Sequence, residues 1–410
     1  KDSGGVPAIP FSSLDSDRPE DLWQWMEELR GGGVDLLAIA HNGNASNGLM
    51  FPESISYGGS EVNAAYAEKR MRNEPVYELS QIKGTSETHP ILSPNDEFAG
   101  FEIWDYTLAA DALPPEKKRG GYARGAYLAG LELQSTGRGN PFKFGVIGDS
   151  DSHNSAAMIE ENNYRGKFGL ENDPKHRLEG PPGFAEGNKR QIREFSSGGV
   201  AGIWAESNTR EDLFNAIMRK ETFATSGPRM KLRFFGGFEF DASSMSSPDW
   251  LTQAYEKGVA MGGDLSAHAK GRAPVFLIMA AMEPDGANLD RIQVVKGWLE
   301  SGARKEKIFD VAWSGDRKPD EAGRLPAVGN TVNAAEASYD NSIGDPQLQA
   351  VWTDPEFDAS RHAVYYVRVL QIPTPRWSTY DAKTLGITPR DDLPVSIQER
   401  AWSSPIWFTP

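Results

Sequence analysis

Helical and strand-like patterns alternate along roughly the first 230 residues, and few folds accept that order. Asp17-Arg-Pro-Glu-Asp21 opens a helix, because an early proline needs no amide donor there and an acidic first turn suits the positive end of the helix dipole. Leu22, Met26 and Leu29 recur at helical spacing, and Gly31–Gly33 stops the helix. The apolar run Val34–Ala40 follows as a buried strand. The cycle then repeats: a polar helix over Glu61–Asn73 precedes a strand over Pro75–Leu79, and a helix over Tyr122–Gln134 precedes a strand over Lys143–Gly148. Thr209-Arg-Glu-Asp212 forms a capping box for a helix through Arg219, ahead of a strand over Thr222–Thr225. Strands and helices in this order predict a mostly parallel sheet or barrel.

Beyond residue 231 the texture changes. Aromatic and β-branched segments stand between turns at Lys231–Phe235, Val275–Met279, Ile292–Val295 and Ala363–Leu370. This pattern predicts a β-rich, sandwich-like domain over residues 231–410, after an α/β domain over residues 1–230.

Composition narrows the chemistry. The net charge of −15 is offset by no basic block, which argues against a nucleic-acid or anionic-membrane partner. An anionic substrate would need local compensation from metal ions or from a few placed Arg and Lys residues. With no cysteine, the chain has no disulfide, thiol nucleophile or zinc–thiolate site, so any metal must be held by His and carboxylates. No apolar run reaches about 18 residues, so no membrane-spanning helix is indicated.

Polar clusters follow the predicted strands, which is where loops converge above the C-terminal strand ends of an α/β barrel. His41 and Asn42 end the Val34–Ala40 strand, and Asp149-Ser-Asp-Ser-His153 ends the strand at Gly148. Residues two apart on extended backbone point the same way, so Asp151 and His153 can reach one metal together. The competing reading of each is plain: a lone histidine in a loop usually hydrogen-bonds, and Asp-x-His arises by chance. Only six histidines occur, however, and two of them sit at strand ends. Glu78 and Glu102 read either as groups beside such a site or as ordinary buried acids. Lys83, within the polar stretch Gln81–His89, can neutralise an anion, or the stretch is simply a solvated loop. Arg229 in Thr225-Ser-Gly-Pro-Arg229 offers a guanidinium able to grip a phosphate by two hydrogen bonds.

These motifs carry a resemblance. Ile39-Ala-His-Asn42 resembles the internal His motif of the PHP (polymerase and histidinol phosphatase) phosphoesterases, Val76-Tyr-Glu-Leu79 the strand after it, and Ser150-Asp-Ser-His153 their closing Asp-x-His motif. The likeness is closer to a bacterial family of uncharacterised proteins related to that superfamily. Strings such as Ala40–Gly48, Gln81–His89, Ser93–Phe98, Phe223–Arg229, Leu289–Trp298 and Ile372–Trp377 resemble its hallmarks along almost the whole chain. The resemblance implies a distorted β/α barrel holding two or three divalent metal ions (Zn, Mn or Fe) that activate water for phosphoester hydrolysis. It makes His41, Asp151 and His153 metal ligands, and Asn42, Asn44, Glu78, Lys83 and Arg229 contacts to a small anionic substrate or to the ligands. The His-x-His, Asp-His, Glu and further His that open PHP sites have no counterpart before His41. The expectation is therefore an incomplete barrel, accompanied by a missing N-terminal segment of the same protein. The resemblance also suggests a periplasmic or extracellular setting. The alternative is a non-catalytic scaffold that recognises a surface polymer or a partner; a third reading keeps the metal site but cleaves an amide or a sulfate ester.

Overall fold

The computed structural model describes residues 5–108, 114–156, 158–267, 271–321 and 323–410. The chain opens with α1 (Pro19–Gly31), whose first turn carries Glu20 and Asp21 and whose inner face buries Trp23 and Met26. Next come β1 (Ile39–Ala40), α2 (Ala64–Asn73), β2 (Val76–Gln81), β3 (Gly84–Thr85), α3 (Ala123–Ser135) and β4 (Gly145–Gly148). β2 lies between β1 and β4 and runs parallel to both, while β3 folds back antiparallel on its end. Every residue of β2 is buried, as expected of a strand covered on both faces. The expected strand over Val34–Ala40 is much shorter, because only Ile39 and Ala40 pair with β2. Before them, the Leu36 carbonyl accepts from Arg30 and the Ala38 amide donates to the Asn73 carbonyl.

The remaining elements are α4 (Pro174–Glu179), α5 (Glu186–Arg193), β5 (Val200–Ile203), α6 (Arg210–Met218), β6 (Thr222–Thr225), β7 (Lys231–Gly237), α7 (Trp250–Lys257), β8 (Gly258–Ala260), β9 (Asp264–Ser266) and β10 (Val275–Ala281), followed by β11 (Leu289–Glu300), β12 (Ala303–Trp313), β13 (Gln347–Thr353), β14 (Ala363–Gln371), β15 (Thr374–Pro375), α8 (Trp377–Leu385), β16 (Ser396–Ile397), β17 (Arg400–Ser403) and β18 (Ile406–Thr409). The Thr209 hydroxyl caps α6 by accepting from the Asp212 amide at 3.2 Å. An eight-stranded sheet runs β12-β11-β14-β17-β6-β5, with β18 bridging β14 and β9; a four-stranded sheet runs β13-β10-β7-β8.

Side-chain alternation on β14 explains the layering. Tyr365, Val367 and Val369 point to one side, into a core shared with Leu232, Phe234, Phe276 and Ile278 of the four-stranded sheet. Val364 and Tyr366 point to the other, into a core with Tyr127 and Leu131 of α3 and Tyr77 and Val146 of the parallel sheet. The large sheet is thus the central layer, with the smaller sheet on one face and α3 and the parallel strands on the other. β5 and β6, from before residue 230, belong to this sheet through the β6–β17 pairing.

Among the described residues the fold is mixed α/β with eight helices, and no sheet closes into the expected barrel. β4 lies alongside β6, but β6 pairs antiparallel with β5 and β17 and so is committed to the other sheet. The approach is close enough to require glycine. A Cβ on Gly148 would lie 2.6 Å from the Thr225 carbonyl, and one on Gly145 2.6 Å from the Ser404 hydroxyl. Among the described residues no helix is long and apolar enough to cross a membrane.

Candidate functional site

Because β1, β2 and β4 are parallel, their C-terminal ends share one edge, and the loops leaving that edge are tied to each other. The Asn44 side-chain amide donates to the Lys83 carbonyl at 2.8 Å, the Ile82 amide to the Ser150 carbonyl at 3.2 Å, and the Asp149 amide to the Ser80 carbonyl at 3.0 Å. Between Glu78 and Ser80 the pairing with β4 slips by one residue, leaving Leu79 without a counterpart. Such bulges re-aim side chains at strand ends.

Asp151 is the hub. Its backbone has a positive φ of 51°, unusual for a residue other than glycine. One carboxylate oxygen, Oδ2, accepts from the ammonium groups of both Lys83 and Lys167, the latter at 2.6 Å, and Lys167 also donates to the Asp151 carbonyl at 2.9 Å. The other oxygen lies 3.2 Å from His153 Nε2, and the His153 ring meets Phe168 edge-on. Both lysines are buried, whereas the His153 side chain is half exposed and gives the cluster its opening to solvent.

The charges perturb one another. Burial pushes the Asp151 carboxyl up, but the hydrogen bonds and positive charge of the two lysines outweigh it and hold the group down at about 2. Burial, helped by the neighbouring Lys167 ammonium, lowers Lys83 to about 8 against the pull of Asp151. Glu78 is raised to about 7, chiefly by burial and further by the Asp151 and Asp149 charges, although Gln81 donates to it at 2.6 Å. A buried carboxyl that titrates near neutrality beside buried ammonium groups is equipped for proton transfer and for holding an anion.

The anticipated site residues are not all brought together. Asp151, His153, Lys83 and Glu78 cluster as described. Asn44 is buried and serves as a pin, bonded to Lys83 and to Ser86. Asn42 sits at φ 60°, starts a single 3₁₀ turn, and keeps Oδ1 buried without a partner. His41 is exposed and lines a separate cavity of about 610 Å³ with Phe11, Trp23, Tyr66 and Arg70. Arg229 lies elsewhere, paired with Glu160 at 3.3 Å and Glu283 at 3.4 Å. Glu102 receives two hydrogen bonds from Arg376.

A metal ion was expected here. Asp151 and His153 are suitable donors, yet Oδ2 of Asp151 is taken by two ammonium groups, and no three His, Asp or Glu side chains among the described residues are placed to hold a metal. As arranged, these residues do not make a complete metal site. Lys167 was not anticipated: a single lysine in a Gly-flanked loop carries no spacing signal.

The stretch Gln81–His89 is not the solvated loop of the competing reading, for all nine residues are buried. Its Glu87 accepts from Arg124 (2.6 Å), Tyr366 (2.7 Å), Trp402 (2.6 Å) and Arg368 (3.2 Å). Asp96, in another hallmark string, accepts from the same two arginines. This buried network joins the loop to α3, β14 and β17, so part of what looks like a functional signature is internal scaffolding.

A family described as "Protein of unknown function (DUF3604)" matches residues 2–410. No curated protein and no solved structure matches the chain.

Proposed function

We propose that this chain, which belongs to that family of unknown function, is a hydrolase acting on a small anionic ester, a phosphoester first of all, at the cluster around Asp151. The observation that carries the reading is the cluster at the strand ends: Glu78 is a buried carboxyl held near neutrality and feels the charges of Lys83 and Asp151, and Asp151 in turn binds the buried ammonium groups of Lys83 and Lys167. In this reading Glu78 accepts the proton of the attacking water. Lys83 and Lys167 balance charge on the substrate's oxygens, supplying the local compensation that a chain of net charge −15 otherwise lacks. Asp151 fixes both ammonium groups, and His153 stands at the mouth. A divalent metal belongs to the proposal only through Asp151 and His153, the two side chains that could donate to it.

The test is a screen of aryl phosphate mono- and diesters, aryl sulfates and aryl amides on the full chain, with and without added Zn²⁺ or Mn²⁺. The expected result is phosphoester turnover that Glu78→Gln lowers about 10²- to 10⁴-fold with little change in KM, the usual size of a lost general base. Turnover equal in Glu78→Gln, or no turnover under any metal condition, overturns the reading and favours the non-catalytic alternative.

A further inference from the structure

A cavity of about 770 Å³ lies on the flank of the four-stranded sheet, bounded by the loop after β5, the end of α6, β7, α7 and β8, and it includes no residue of the Asp151 cluster. Side-chain alternation on β7 sends Leu232 and Phe234 into the core between the sheets and turns Arg233 and Phe235 to the outer face. Phe235 is covered by α7, whose Tyr255 ring meets it edge-on at 4.9 Å. β8 reaches back along β7 only as far as Phe235, so Arg233 stands beyond its end and lines the cavity.

The Arg233 guanidinium is held in place without a carboxylate. Its Cζ lies 3.3 Å from the centre of the Trp204 ring. That ring is fixed in turn, because its Nε1 donates to the Leu232 carbonyl at 2.8 Å and the Trp204 amide donates to the Glu221 carbonyl at 3.0 Å. Arg233 Nη1 donates to the Tyr255 hydroxyl at 2.8 Å. Among the described residues it makes no ion pair and no second hydrogen bond, which leaves Nε and Nη2 without a protein acceptor. Glu221 does not supply one: it is only 6% exposed, and its two oxygens are taken by the Tyr255 hydroxyl and by Arg219 at 3.3 Å. Glu206, the other acid of the lining, is exposed.

We infer that this cavity binds a small organic carboxylate, whose two oxygens meet the Nε–Nη2 edge of Arg233 while its apolar body lies along Tyr255, Val259 and Met261. A guanidinium edge presents two parallel N–H donors, the match for the two oxygens of a carboxylate. Contact with the Trp204 face and the bond to Tyr255 set the plane of that edge before any ligand arrives, so little side-chain freedom is lost on binding. One negative charge suits the site better than two. Arg219 is spent on Glu221, one guanidinium edge remains, and Glu206 opposes further negative charge. The volume falls within the range of about 300–1,000 Å³ common for small-molecule sites, and the wall at Val259, Ala260 and Met261 is apolar, as such sites mostly are. This site is independent of the hydrolase reading.

The test is calorimetry on the full chain with 2-naphthoate as probe, 2-naphthamide as its uncharged counterpart and acetate as a carboxylate without the apolar body. The expected result is saturable binding of naphthoate, none of naphthamide, and acetate weaker by about tenfold or more for want of buried apolar surface. Arg233→Met weakens naphthoate by about tenfold or more, the size of lost hydrogen bonds to a charged group. Arg233→Lys, which keeps the charge but not the two-pronged edge, falls between wild type and Arg233→Met. Circular dichroism melts show that both variants are folded. The proposal is overturned if naphthoate does not bind with a dissociation constant below ~10 mM, or if naphthamide or acetate binds as tightly. It is equally overturned if both Arg233 variants bind naphthoate unchanged, which would place the anion elsewhere, as at the lysines beside Asp151.

Discussion

Replacing Glu87 by glutamine tests whether the network behind the strand-end loop holds the layers together. Glu87 and Asp96 carry two negative charges and Arg124 and Arg368 two positive ones, all in side chains at most 4% exposed. Glutamine keeps the shape but removes one charge, leaving the buried cluster with a net +1 and an amide facing the Trp402 and arginine N–H donors. Breaking one partner of such a pair costs about 3–5 kcal/mol, and urea unfolding followed by tryptophan fluorescence reads it directly. The double variant with Arg368→Met restores neutrality and is expected to cost about 1–3 kcal/mol less than the sum of the singles. The pH dependence has a definite sign. Burial pushes Glu87 up, but Arg368 and Arg124 outweigh it and the carboxyl is lowered to about 2. A group depressed on folding contributes stability that is complete above its unfolded value of about 4.3 and is lost as pH falls toward its folded value. The gap between wild type and Glu87→Gln therefore narrows as pH drops through that window, because protonated Glu87 then resembles the variant. A gap below about 1 kcal/mol at neutral pH, additive singles, or a gap independent of pH would refute the reasoning.

Two packing predictions follow from the same layers. Gly148→Ala places a methyl 2.6 Å from the Thr225 carbonyl and 2.8 Å from the Val200 amide, both backbone, so neither can rotate away; the expected loss is about 1–3 kcal/mol in the same unfolding assay, and an unchanged midpoint would mean that β4 and β6 are not so closely apposed. Phe276→Ala empties a fully buried ring site between the two sheets, where Phe276 stacks on Phe234 and Trp352; the expected loss is about 3–5 kcal/mol, and a loss under about 1 kcal/mol would show that the sandwich core closes around the gap.

Much of the architecture was legible in the residues. The helices over 19–31, 64–73 and 123–135 and the strands at 76–81, 145–148 and 222–225 fall close to where spacing, caps and glycines predict them. The strands at 275–281, 289–300 and 363–371 are apolar enough to declare themselves. β12 is harder to read, because Arg304, Lys305, Glu306 and Lys307 interrupt any apolar run, and it forms because β11 offers a long antiparallel edge. Asp151 and His153 do meet, at 3.2 Å, but Asp151 has a φ of 51°, so a local turn and not the expected extended backbone brings them together.

Other features depend on contacts between distant segments and leave no local trace. β6 was expected to continue a parallel sheet, yet it pairs with β17 from the far end of the chain, and that pairing leaves the barrel open. Lys167 reaches Asp151 from a loop 16 residues on. Arg229 turns to Glu160 and Glu283 rather than toward the strand ends, and Arg233 lies over Trp204 although 29 positions separate them. Sequence by itself determined the periodic elements, since hydrophobic spacing, caps and turn residues act over a few positions. Tertiary structure alone decided which edges pair and which charges meet, because those depend on burial and on partners the chain brings together only when folded.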